Sequence, residues 1–158
     1  MKTNYLLPNK YKSLGWILFI LGLIGGIFMY SIGYESDVLT MKVFSIYNED
    51  FIMKEERGFF KIIEENSILD ELISLAIIIG GLIIVFTKEK VEDEFIYKLR
   101  TDSLVWALIF NYAILIFAIL FIYGLTFFDV LVFNMFTPLL FFIIRFNFLK
   151  LKSNSHDE

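Results

Sequence analysis

Residues 90–110 read KVEDEFIYKLRTDSLVWALIF, and the reading of this stretch decides the fold. It opens on a dense charge cluster and closes on an apolar run, with no Pro or Gly between them. Glu92, Asp93 and Glu94 sit where a helix would begin, and the partial positive charge of a helix N-terminus favours carboxylates there. On a helix starting at Val91, Phe95, Leu99 and Trp106 share one face with Ile96 beside them. Asp93, Glu94, Tyr97, Lys98 and Arg100 take the opposite arc. Glu94 and Lys98 form an i,i+4 pair in the more favourable order. The stretch therefore reads as an amphipathic arm, residues 88–103, continuing directly into a membrane span. Three consecutive helical residues point in three directions, so Glu92, Asp93 and Glu94 cannot converge on one metal or one proton. That leaves a solvated helix start, or a docking face of Asp93, Glu94, Tyr97 and Lys98 for a protein partner.

The rest of the chain supports a membrane setting. Hydrophobic residues make up 58% of the 158, with 19 Phe, against roughly 45–50% in soluble proteins. Four runs reach the ~20 residues needed to cross a bilayer: 14–34, 68–87, 104–124 and 127–147. The first follows Lys10 and Lys12 like a signal peptide, but no small-residue cleavage pattern follows, so it reads as an uncleaved anchor. The expected fold is all-α: a single four-helix membrane domain with an outer loop at 35–67. A net charge of −4 gives no electrostatic footprint for nucleic acid. No Cys is present, and the single His, His156, lies in the tail SNSHDE. No His-based triad or His-rich metal site can be built around it, and no catalytic, cofactor or metal residue is assigned.

Ten of the fourteen Lys and Arg lie in the N-terminal arm, the 88–103 segment and the C-terminal end, and four lie in the first loop. The positive-inside rule then places both termini in the cytoplasm. Trp16 and Trp106 fall at the inner interface, and Tyr30, Tyr34 and Tyr123 near the outer one, as aromatic belts require. The outer loop carries eight carboxylates and four cations. Leu39, Val43, Ile46 and Tyr47 recur at 3–4 spacing after Ser36 or Asp37 as caps, and Phe59, Ile62 and Ile63 repeat the pattern. Two short amphipathic helices are expected there, with a strand pair as the alternative. Asp70, Glu71 and Asp129 start spans two and four, which the helix dipole explains. A cation cluster with Glu64 or Glu65 is the alternative.

Small and polar residues mark the faces of the spans. Gly15, Gly22, Gly26 and Gly33 lie within about 40° of one another on span one. Ala76 and Gly80 make a small-xxx-small pair on span two. Setting Gly22 level with Gly80 and Gly26 with Ala76 gives an antiparallel contact between the two spans, with a homodimer face on span one as the alternative. Ala107, Asn111 and Ala118 share a face of span three. Asn134, Pro138 and Arg145 share one of span four. These read either as a polar track through the bundle or as interhelical hydrogen bonding with Arg145 snorkelling to the interface. Pro138 deprives the Asn134 carbonyl of its helical partner, so a kink or a water site is expected there.

The order KEKVEDEFIYKLRTDSLVWALIFNY followed by YGLTFFDVLVFNMFTPLLFFIIRFNF resembles a group of small, uncharacterised bacterial four-span membrane proteins. The resemblance covers most of the chain and is sharpest over residues 89–148. It implies a four-helix fold in the bacterial inner membrane and no activity. An association with small helix-turn-helix regulators is a looser analogy that assigns no residue a role. The functional expectation is a non-catalytic accessory or sensor protein showing its arm to a cytoplasmic or membrane partner. The alternative is a small transporter or channel, oligomeric in some versions, using Asn111, Asn134, Pro138 and Arg145.

The charge asymmetry is directly testable. Reporter fusions after Lys12 and after Lys152 should give cytoplasmic signal, and a fusion after Asn48 should give external signal. Cytoplasmic signal at residue 48 would reverse the topology.

Overall fold

The structure is a computed structural model of the chain. It describes residues 5–32, 39–48 and 58–154, with side chains at 5–31, 39–46 and 67–153. The elements are α1 (Lys12–Ile32), β1 (Thr40–Asn48), β2 (Gly58–Ser67), α2 (Leu69–Phe86), α3 (Glu94–Phe121), α4 (Leu125–Asn134) and α5 (Thr137–Asn154). A 3-10 turn, Asn9–Tyr11, leads into α1.

Three helices are long and apolar enough to cross a membrane, and a fourth span exists if the bent pair α4–α5 counts as one. Only 11% of the most apolar window of α3 is buried within the chain. Ile116, Phe117, Leu120 and Phe121 are all more than half exposed. A soluble monomer rarely exposes a continuous apolar surface of that extent, whereas hydrocarbon solvates it at no cost.

Two corrections to the sequence expectation concern the loops and the fourth span. The segment expected to hold two amphipathic helices is an antiparallel strand pair, with Val43 opposite Ile63, Phe44 opposite Ile62 and Tyr47 opposite Phe59. Between Met41 and Val43 the register slips, leaving one extra residue on β2 as a bulge. The 3–4 spacing was present, but the residues carrying it are β-branched and aromatic, which suit a pleated surface better than a short isolated helix. Gly33, Ser36 and Asp37 lie outside the described residues, as do the side chains of Glu64 and Glu65. The fourth span, expected over 127–147 with a kink or a water site at Pro138, is two helices meeting at 41° across Met135 and Phe136. Pro138 is the cause, since its ring and missing N–H break the ladder one turn upstream. Asn134 and Arg145 therefore do not lie on one continuous helix face.

By contact the chain divides into residues 22–75 and a second unit of residues 1–21 and 76–158. In the 22–75 unit, a Cβ on Gly25 would lie 3.0 Å from Ile73, and the Ile68 amide donates to Leu39 O at 3.0 Å. In the other unit, a Cβ on Gly80 would lie 2.5 Å from the Phe19 nitrogen and 2.9 Å from Gly15 O. The α1–α2 register thus differs from the expected one: Gly80 meets Gly15 and Phe19, about one turn from the position assigned to Gly22. Packing is set by the closest backbone approach, and Gly15 allows it as well as Gly22 does. On the other side of α2, Gly81 accepts Leu139 of α5.

Gly80→Ala should therefore destabilise the protein by about 1–3 kcal/mol, because the backbone it would strike cannot rotate away. Thermal unfolding in detergent measures this. An unchanged midpoint would show that α1 and α2 separate without cost.

Candidate functional site

The residues that converge most tightly are charged, and they gather where α1 begins, α2 and α5 end and α3 begins. After α2 the chain runs without helix from Thr87 to Asp93. Leu7 pairs with this run as a short parallel bridge: its amide donates to Phe86 O at 2.7 Å and its carbonyl accepts from the Lys88 amide at 2.9 Å. Asn9 Nδ2 donates to Lys88 O at 2.7 Å. The segment is thus held by backbone bonds before any charge is considered.

Glu89, 7% exposed, follows at once. Lys12 at the start of α1 donates to its Oε1, and Lys150 near the end of α5 donates to its Oε2 at 2.6 Å. Burial disfavours the carboxylate, but the two lysine hydrogen bonds and charges outweigh it and hold the Glu89 carboxyl below its usual range. Glu92 grips the Arg100 guanidinium at both ends, 2.6 Å to Nη1 and 3.2 Å to Nη2. It also accepts from the Glu89 amide at 2.9 Å. Arg100 is 3% exposed; it reaches Thr87 O at 3.3 Å and lies 5.7 Å from the Phe146 ring centre.

The opening charge cluster thus resolves into three jobs. Glu92 is an ion-pair partner. Asp93 is the N-cap of α3, accepting from the Ile96 amide at 2.8 Å, which matches Asp at this position. Glu94 occupies the first turn and stays exposed. The helix begins at Glu94 rather than Val91 and runs unbroken for 28 residues.

The buried face of the arm differs from the expected one. Phe95 is 50% exposed and Leu99 is half-buried, while Ile96, Arg100, Ser103 and Ala107 are buried. The expectation placed Arg100 on the solvated arc, using the rule for helices in water. Here α5 packs along α3, and small residues let it approach: Ser103 is fully buried and Ala107 is 2% exposed on α3, while Phe142 and Phe146 are buried on α5. Phe110 stacks on Phe141 at 4.4 Å. The stripe of Ala107, Asn111 and Ala118 simply continues downward through Ser103 to Arg100. Following its period two further steps would have found both residues.

Of the docking candidates, Asp93, Glu94 and Lys98 are exposed and Tyr97 is half-buried. The polar-track residues separate. Arg145 donates to Ser103 Oγ at 3.1 Å and lies 5.8 Å from the Trp106 ring centre. Asn111 and Asn134 each keep a buried polar atom with no hydrogen-bond partner among the described residues. Among the described residues no group of three or more acidic or His side chains gathers as a metal site. A scan against protein-family models, a search of curated proteins and a search of solved structures found no match.

Two outcomes test the charge cluster. Arg100→Met strands the Glu92 carboxylate and should cost about 3–5 kcal/mol, as for one partner lost from a buried pair. Lys98→Met, on the exposed arc, should cost under about 0.5 kcal/mol. The Glu89 carboxyl is depressed in the folded state, so its contribution is complete above the ordinary carboxylate pKa and is lost as pH falls through the lower, folded value. Thermal midpoints should therefore fall in acid for the unmodified chain, and Glu89→Gln should flatten that part of the profile.

Proposed function

We propose that the chain is a non-catalytic, multi-pass protein of the bacterial cytoplasmic membrane, with both termini inside, that presents the first turns of α3 to a protein partner. The supporting observation is a division of charge. Glu89, Glu92, Arg100, Lys12 and Lys150 are consumed in holding the chain to itself. Glu94 and Lys98, on the same short stretch, remain exposed. A docking face needs pre-ordered groups, because ordering them on binding costs affinity. The Asp93 cap and the Arg100–Glu92 pair supply that order. The resemblance to small four-span bacterial membrane proteins agrees with an accessory or sensor role and names no partner.

A second reading, a small transporter or channel, is favoured by the bent fourth span and by Asn111 and Asn134. Discontinuous helices with intramembrane polar groups are where transporters bind their substrates. It requires solute or ion flux in proteoliposomes that Asn134→Leu abolishes.

The docking reading is tested by a photo-crosslinking residue placed at Lys98 in native membranes, with Tyr112 on the same helix as the control. A discrete adduct at position 98 and none at 112 is expected. Glu94→Lys, with the crosslinker kept at 98, should remove that adduct and leave the thermal midpoint unchanged. Identical adducts at both positions, or an adduct indifferent to Glu94→Lys, would end the proposal.

A further inference from the structure

Arg145 carries an inference that rests on the membrane reading and is independent of the docking face. Lys12 and Lys150 each meet the Glu89 carboxylate, and Arg100 meets that of Glu92. Arg145 meets a hydroxyl and a ring instead. Its Nη1 donates to Ser103 Oγ at 3.1 Å, and its guanidinium lies 5.8 Å from the centre of the Trp106 ring, within cation–π range. Ser103 is fully buried, so the arginine is anchored on the contact between α3 and α5. Arg100 Nε is buried without a partner, whereas no nitrogen of Arg145 is, so the rest of the Arg145 fork opens to the surface.

The surface it opens on is apolar. At 100° per residue, Phe148, Arg145 and Phe142 follow one another around α5 in steps of about 60°. Phe148 is 65% exposed and Phe142 is buried, so Arg145 stands at the rim where the α3–α5 contact gives way to the bilayer. Trp106, half exposed, borders it on α3, and tryptophan favours the membrane–water interface. Lys150 lies about 7.5 Å further along α5 at the helical rise. Each polar layer of a bilayer is about 5–7 Å thick, so with the Glu89 cluster at the water side Arg145 falls at the inner edge of the headgroups. A guanidinium held at that depth without an anion is costly. The anion that meets it arrives on an apolar stem, because Phe148 and Trp106 border the approach. A phosphodiester presents two oxygens to the planar fork of an arginine. The single positive charge is neutralised by a lipid whose phosphate is not already offset by an amine of its own.

We propose that Arg145, positioned by Ser103 and Trp106, binds the phosphodiester of an anionic glycerophospholipid, whose acyl chains lie along the rim between α3 and α5.

Solid-state NMR on the full chain in vesicles gives the test, by dephasing of arginine Cζ by lipid phosphorus in phosphate-free buffer. The arginines are Arg57, Arg100 and Arg145, and Arg57→Lys and Arg145→Lys assign the signals by removing one each. In mixed phosphatidylglycerol–phosphatidylcholine vesicles the Arg145 signal should lose most of its intensity, and the buried Arg100 signal should keep it. In phosphatidylcholine alone the loss at Arg145 should be several-fold smaller. Flotation with the vesicles checks the membrane setting separately, and a chain that does not float would lose that setting and the site with it. In a chain that floats, no dephasing at Arg145 overturns the lipid site alone, and is the result expected if a carboxylate of another chain pairs with it. Equal loss at Arg100 would reduce the effect to general nearness to headgroups and also overturns the site. Equal loss at Arg145 in the two kinds of vesicle overturns the choice of an anionic lipid.

Discussion

The Glu89 carboxylate, buried between two lysines from opposite ends of the chain, is the constraint on which the rest of the arrangement depends. An uncompensated charge there would be costly, so Lys12 and Lys150 must both arrive, and α1 and α5 arrive with them. Next to it the Glu92–Arg100 fork fixes where α3 starts and which way it faces. The parallel bridge at Leu7 closes the same region with backbone bonds. Four helix ends are thereby held by groups far apart in sequence, Leu7 and Asn9 on Lys88 among them, and none of these ties needs the apolar surfaces of the spans.

Along the spans a different rule operates. Lipid tails are as apolar as Leu, so burying large apolar side chains gives no advantage over leaving them in the bilayer. What selects the inward face is close backbone approach and the need to shelter polar groups. That explains Gly15 against Gly80, and Ser103 sheltering beneath Arg145. It also explains how Phe95, Trp106 and Phe117 come to be half exposed or more. Three apolar, membrane-length helices were legible from length and hydropathy, and so was the continuity of residues 94–121. The inward face of the arm was not, because amphipathicity in water assigns Phe95 inward and Arg100 outward, and the membrane reverses both.

The candidate site was legible only in part. Asp93 as a helix start and Pro138 as a break follow from single-residue chemistry. The Glu89–Lys12–Lys150 cluster joins three segments distant in sequence, and no local spacing encodes it. Its one trace was indirect: under the topology read from charge counting, all three residues fall on the same side of the membrane. The β1–β2 strand pair, which the sequence offered only as the alternative to two helices, was ranked second for another reason. Leu39, Val43, Ile46 and Tyr47 satisfy a helical period, yet a nine-residue segment so rich in β-branched and aromatic side chains gains more from pairing with a second strand than from about two and a half turns of isolated helix.

The two lysines on Glu89 also differ in when they become available. Lys12 is made 77 residues before Glu89 and can meet it as soon as α2 is in place. Lys150 lies 61 residues downstream, which at about 5–20 residues per second is roughly 3–12 s of further synthesis. During that interval one oxygen of the carboxylate has its lysine and the other has none. The second lysine arrives last, so only a chain whose final helix has reached its place has both oxygens of Glu89 paired.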